Sequence, residues 1–471
     1  MIKNDIELKI SKESLTQFLS SLQEIDADES FKKLSPKKQE IYRKALEGEV
    51  ENLQSQINEY EVLKSGELQG LLSNRFTELP LNLIRARISR GIDEQYIANQ
   101  LNMDVSDYIE LEDELFAEAD TSTIIKLISL LKIEIPAELE SMFALDSDQI
   151  KKNVKNSLGF LFNKLIPFEL KEEYNLTNGY LKLFSSLKKI FNENLSEILS
   201  GSKINNYMLT NARYKTPKGT RDELVYLYTS YAEFISKEIS RVLDTSPKKL
   251  TTDPLVFRRN VIESYGDLSL ESCISHLWDL GIPVIPFEMP GGFHGACWRF
   301  NGRNVIVLKQ QSASYSRWLF DLLHEYWHAT QEPDLLERKI VDLGEVQSIK
   351  TDDQEELDAN KFAEEVIFGG RSVELFDECI NISSGRIQFL KKAVQEVAIK
   401  NDIDVASLAN YTAYRMSKLG NNWWGAANNL QYNGNPYSKA YDILNSRLDS
   451  SLLHSLEDPL EQELIHNALF Q

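Results

Sequence analysis

The sequence predicts a predominantly helical α+β protein with one small antiparallel sheet in its C-terminal half. Three observations carry that prediction. Apolar residues recur at three- and four-residue intervals over most of the chain, the period of helices with one buried face. Three β-rich runs lie close together, Ile282–Phe287, Ala296–Phe300 and Asn304–Leu308, and Asn301-Gly302 supplies a tight hairpin turn between the last two. Directly after them, Trp318–His328 reads as one amphipathic helix containing His-Glu-x-x-His.

Composition narrows the class. A chain of 471 residues implies several domains, and 42% hydrophobic residues is ample for their cores. No apolar run approaches the length of a membrane span, so no membrane partner is expected. The N-terminus, Met1-Ile2-Lys3-Asn4-Asp5, lacks the apolar segment of a secretory signal. Three scattered cysteines (Cys273, Cys297, Cys379) make neither a disulfide framework nor a cysteine zinc site, which points to a reducing cytoplasm. A net charge of -20 argues against binding nucleic acid by electrostatics, because phosphates are neutralised by clustered Lys and Arg.

Taken in order, residues 1–75 are expected to be helical. Pro36 opens a helix in which Leu46, Val50, Leu53, Ile57 and Tyr60 form a short heptad seam, ended by Ser65-Gly66. That seam suits a homodimer through the N-terminal helices as well as packing within its own domain. Residues 76–135 form short helices: Leu83, Ile84 and Ile88 give one apolar face, Gly91 breaks it, and Asp93 caps the next helix, which ends at Asn102. A third helix carries Val105, Tyr108, Ile109 and Leu111. Residues 136–253 are helical with no chemical role assigned, and the basic loop Arg213–Arg221 reads as a linker. Residues 254–450 hold the sheet and the His-Glu-x-x-His helix. A helix is expected near Leu268–Leu280, and Gly291–Gly295 as a loop above the site. Residues 451–471 form a C-terminal helix.

The chemistry converges on the second half. Residues four apart share a helix face, so His324 and His328 aim two imidazoles at one point, with Glu325 beside them as a base for an activated water. The third ligand is sought in Glu355–Glu365, a helix with Ala359, Phe362, Ala363, Val366 and Ile367 on its apolar face. Glu355, Glu356 and Asp358 compete for that role. Glu356 ranks first because it pairs at four residues with Asn360, which can orient a ligand histidine.

Arg317-x-x-Phe320, His324-Glu325-x-x-His328 and Glu356-x-x-Ala359-Asn360-x-Phe362-Ala363, in that order, resemble the ImmA/IrrE family of zinc metallopeptidases. The likeness spans roughly Val256 to Ile367, and more loosely runs to about Leu448. It implies a zincin-like peptidase domain with Zn2+ on His324, His328 and Glu356 and with Glu325 as general base. His294 and Tyr315 are candidate oxyanion or substrate contacts. Trp327, before the second histidine, and Gly369-Gly370, after the Phe-Ala helix, depart from the family's usual small residue and proline. Residues 81–133 resemble an XRE-type helix-turn-helix at Ile84, Arg85, Arg87, Gly91, Ile97, Ala98, Leu101 and Glu112. DNA is the partner this resemblance implies, yet the third helix carries Asp104, Asp107, Glu110, Glu112, Asp113 and Glu114, and no Lys or Arg lies between Gly91 and Ile125. The family likeness implies limited proteolysis of a protein substrate, a helix-turn-helix repressor or other regulator, in a stress, mobile-element or phage-response circuit. The alternative is a non-catalytic zinc-containing transcriptional regulator or antitoxin.

Overall fold

The computed structural model describes residues 1–66, 75–202, 222–289, 295–310, 312–342, 354–432, 434–448 and 450–470. Its contacts fall into two compact units, Met1–Asn153 with Ile166–Lys189, and Val154–Leu165 with Ile190–Gln471. The segment 136–253 is thus divided between the two. The basic loop 213–221 lies outside the described residues.

The first unit is helical. Helix Asp5–Glu24 folds back on Pro36–Lys64, and their direction is set by pairs joining opposite ends: Lys64 and Tyr60 to Asp5, Lys12 to Glu61, Arg43 to Asp26. The heptad seam is used within the chain. Ile57 and Tyr60, with Leu63, are buried, and Leu46, Val50 and Leu53 are half-buried. Next come Leu79–Ser89, Glu94–Leu101 and Val105–Asp113. Asp93 caps the second of these by accepting from the Tyr96 amide at 2.7 Å, and Asn102 ends it in the left-handed region at φ 56°. Gly91, at φ 62°, makes the break between the first two.

A charged cluster lies inside these three helices. Arg87, 2% exposed, donates to both oxygens of Glu112 at 2.6 and 2.8 Å, and the Tyr108 hydroxyl donates to the same carboxylate at 2.6 Å. Arg87 also reaches the carbonyls of Lys3 and Ile92. Burial therefore raises the Tyr108 phenol strongly, with the Glu112 charge adding to it. Of the acids on the third helix, Glu112 faces inward, whereas Asp107, Glu110 and Asp113 are exposed.

The second unit is built on a four-stranded sheet with spatial order β1-β3-β2-β4: β1 Val284–Pro286, β2 Gly295–Phe300, β3 Arg303–Leu308 and β4 Arg338–Asp342. The β2–β3 hairpin turns at Asn301 (φ 48°) and Gly302 (φ 82°), the paired positive angles of the tight turn. The sheet is mixed, not wholly antiparallel: β1 pairs parallel to β3, so the expected antiparallel sheet is corrected. The reason is order. The chain leaves β1, adds β2 on the far side of β3, and returns along β3 in the direction of β1. The fourth strand carries no sequence signal and was not expected.

Period-two alternation divides the sheet's faces. Gly295, Cys297 and Arg299 of β2, with Arg338 and Ile340 of β4 opposite, face the helix Tyr315–Thr330. Trp298 and its partner Lys339 face the helix Asp222–Val242, where Lys339 pairs with Glu233. With both faces covered, every residue of β1, β2 and β3 is buried. The helix expected near Leu268–Leu280 forms as Leu270–Asp279, and Pro459–Leu469 forms the C-terminal helix. No helix of the described residues is long and apolar enough to cross a membrane.

Candidate metal centre

The helix Tyr315–Thr330 is held at both ends. Ser314 caps its first turn, accepting from the Arg317 amide, and Gln431 accepts from Ser314 and Ser316. Arg317 donates to Asn428 and lies over the Trp424 ring, so the Asn421–Trp424 segment and the helix after it brace this end. At the other end the final carbonyls of a helix have no partners of their own. Arg299 takes those of Ala329 and Gln331 at 2.8 and 2.9 Å, and Leu335 beyond them at 3.2 Å; Asn304 takes Ala329 at 3.0 Å. Two strands thereby fix the turn that carries His328.

The helix Gln354–Phe368 packs beside it. Phe362 stacks on Tyr326, with ring centroids 5.5 Å apart, and on Trp327 at 5.4 Å, so the bulky Trp327 contributes to the seam between the two helices. Gly369 and Gly370, at φ 61° and 78°, end that helix in the left-handed region without a proline.

Where the helices face each other, His324, His328 and Glu356 come together, one ligand atom from each lying within 4.8 Å of the others. The two Nε2 atoms are 3.1 Å apart, and the Glu356 oxygens stand 3.4 Å from His324 Nε2 and 3.5 Å from His328 Nε2. Both Nδ1 atoms are occupied: His324 meets Asn360 Oδ1 at 3.2 Å, and His328 meets Glu355 Oε1 at 2.8 Å. An ionised carboxylate only accepts, so His328 carries its proton on Nδ1; the amide oxygen of Asn360 does the same for His324. Both Nε2 atoms are therefore unprotonated and turn toward one point, with a carboxylate as the third face. That arrangement is repulsive without a cation. Two ligands about 2.05 Å from a zinc ion at the tetrahedral angle lie about 3.3 Å apart, and the three observed separations bracket that value. The donor set fits the metal.

The carboxylates around the ring differ in environment. Burial pushes the His328 imidazole down, partly offset by Glu355, which favours the neutral form a metal needs. The hydrogen bond from His328, with Arg338 adding to it, holds Glu355 at about 2. Glu325 is 1% exposed and lies under the start of β2, where a Cβ added at Gly295 would come within 2.4 Å of its Oε1. Gly295 thus belongs to the strand and to the wall of the site.

Of the sequence candidates, His324, His328, Glu356, Asn360 and Glu325 converge here. Tyr315 begins the helix and packs its ring on Gly434, and it has no hydrogen bond to the ligand residues among those described. His294 and the rest of 290–294 lie outside the described residues. Asp358 is half-buried and pairs with Gln354, away from the ligand role it competed for. Gly295, expected in a loop above the site, instead opens β2 against Glu325, and sequence reasoning missed two parts: Arg338, and Glu355 as the partner of His328 rather than a rival to Glu356. No protein-family model, curated protein or solved structure matches the chain.

Proposed function

We propose that this chain is a zinc-dependent endopeptidase with an N-terminal regulatory helix-turn-helix segment, acting on a repressor or another regulatory protein in the cytoplasm. One observation carries the reading. The orienting bonds at both Nδ1 atoms leave two unprotonated imidazole Nε2 atoms and one carboxylate converging at tetrahedral spacing. Zinc in such a site supplies Lewis acidity and acidifies water. Glu325, one residue from His324 and shielded by Gly295, takes the water's proton and returns it to the leaving amine. Asn360 and Glu355 keep the imidazoles turned toward the metal position. With only these three protein ligands, a bound zinc would keep a coordination position for water, which favours catalysis over a closed structural site.

A peptide substrate fits the sheet. No further strand lies outside β4 among the described residues, and its Asp342 end pairs with Gly295 above Glu325. An extended chain added there runs past the base. Duplex DNA is disfavoured as a partner of the third N-terminal helix, because its exposed face is acidic and Tyr108 and Glu112 point into the core. The test uses wild type, His328→Ala and Glu325→Gln, each co-expressed with the products of neighbouring genes. Wild type and Glu325→Gln should carry one zinc per chain, and His328→Ala should have lost nearly all of it. A protein cleaved by wild type should be cut about 10²- to 10⁴-fold more slowly by Glu325→Gln. Cleavage at an unchanged rate removes the peptidase assignment, and full zinc on His328→Ala removes the metal site.

A further inference from the structure

The two ligand histidines are oriented by unlike groups. His324 has a neutral amide at its Nδ1, whereas His328 has a carboxylate, and that carboxylate is itself gripped from the sheet. Arg338 of β4 donates through Nη2 to Glu355 Oε1 at 2.7 Å, the oxygen that also receives His328 Nδ1 at 2.8 Å. Through Nη1 it donates to the His328 carbonyl at 3.0 Å, and through Nε to Glu332 at 2.9 Å. One guanidinium therefore holds both the backbone and the side-chain partner of a single ligand. It does so from the edge strand, opposite Arg299 in register.

We infer that Arg338 and Glu355 are a positioning pair that strengthens metal binding through His328 and ties the metal centre to the edge strand β4. A carboxylate at Nδ1 draws that proton toward itself and makes Nε2 a stronger donor than an amide does. Arg338, sharing the same oxygen through Nη2, stops the carboxylate from taking the proton outright, and its rigid fork, with Nη1 on the His328 carbonyl, fixes the carboxylate relative to the ligand's own backbone. Asn360 gives His324 orientation alone. The imidazoles are thus unequal, and His328 is the ligand whose strength depends on a strand outside the two ligand helices.

This inference rests on the zinc reading above, and the experiment separates the two. Zinc affinity is measured on the full chain by competition with a chromogenic chelator, for wild type, Glu355→Gln, Arg338→Ala and Arg338→Lys. Metal-free thermal unfolding is recorded alongside, and the visible spectrum is taken after cobalt replacement. Glu355→Gln keeps an acceptor but loses the charge, and should weaken zinc about 10- to 100-fold and shift the cobalt bands. Arg338→Ala should weaken it by a smaller factor, and Arg338→Lys should recover part of the loss. If wild type binds zinc and Glu355→Gln binds it equally well, the pair has no such role and the metal site stands. If the variants lower metal-free stability but leave affinity and spectrum unchanged, the pair is merely structural and the inference fails. If wild type binds no zinc, the metal reading falls first and takes the pair with it.

Discussion

Gly295→Ala is a small substitution with a large expected consequence. A Cβ at this position would lie 2.4 Å from Glu325 Oε1, 2.8 Å from its Cγ and 2.9 Å from its Cδ. Carbon atoms attract only near about 3.5 Å, so the side chain and strand would have to separate by roughly 0.6 Å or more. The strand has little freedom to give way, since Gly295 pairs with Leu308 on one side and Asp342 on the other. Glu325 must move instead, in a helix clamped at both ends. Overpacking of this kind costs about 1–3 kcal/mol. A base displaced by about 1 Å also costs about 100-fold in rate.

A double-mutant cycle isolates the contact without knowledge of a substrate. Glu325→Ala removes the three atoms that the new methyl would meet. Gly295→Ala should therefore destabilise wild type by about 1–3 kcal/mol and the Glu325→Ala background by almost nothing, giving a coupling of similar size. All six tryptophans lie in the second unit, so urea unfolding followed by tryptophan fluorescence reports the relevant part of the chain. An equal cost in both backgrounds would refute the argument that Gly295 is required by the proximity of Glu325.

Two further outcomes concern buried charge. Glu112→Ala leaves the Arg87 guanidinium in the core with only Glu94, at 3.3 Å, as a carboxylate partner; the first unit should lose about 3 kcal/mol, seen as faster amide exchange across residues 79–113, and unchanged protection would contradict it. Burial holds the Lys309 ammonium down at about 8 against an ordinary 10.5, worth about 3 kcal/mol. The sign follows from proton uptake: below about pH 8 both states carry the proton and the folded state bears the full cost, which is relieved as pH rises to 10.5. Lys309→Met should raise the urea midpoint at pH 7 and flatten its rise between pH 8 and 10.5, less whatever the contact with the Tyr228 ring contributes. An unchanged midpoint would contradict the desolvation argument.

Much of the helical framework was legible because its signals are local. Asp93, Gly91 and Asn102 mark boundaries by backbone chemistry, and the structure uses all three. The Asn301-Gly302 turn is equally local. The sheet's edges were not. Arg338-Lys-Ile-Val-Asp342 runs polar, polar, apolar, apolar, polar, with no period-two alternation to mark it as a strand, and Lys339 finds its partner Glu233 on a helix far back in the chain. The parallel pairing of β1 with β3 depends on the route of the chain between them, which no residue encodes. The heptad seam announced that Pro36–Lys64 needs a partner, but periodicity carries no address, and helix Asp5–Glu24 supplies it.

The site shows the same boundary at the scale of one helical turn. Glu355 and Glu356 are neighbours about 100° apart around the helix, so they cannot serve the same atom. Choosing Glu356 through its four-residue pairing with Asn360 used a local relation, and in the structure both residues meet His324. Glu355 has Ala359 at that spacing, which offers no polar group, and on local grounds it looks like another solvated acid. Its partners are His328, 27 residues back, and Arg338, 17 residues back on the sheet edge. An acid's role as ligand or as orienting partner is therefore set by which side of the imidazole its helix turn presents. That rotation is fixed by Phe362 stacking on Tyr326 and Trp327, a packing contact that sequence spacing cannot supply.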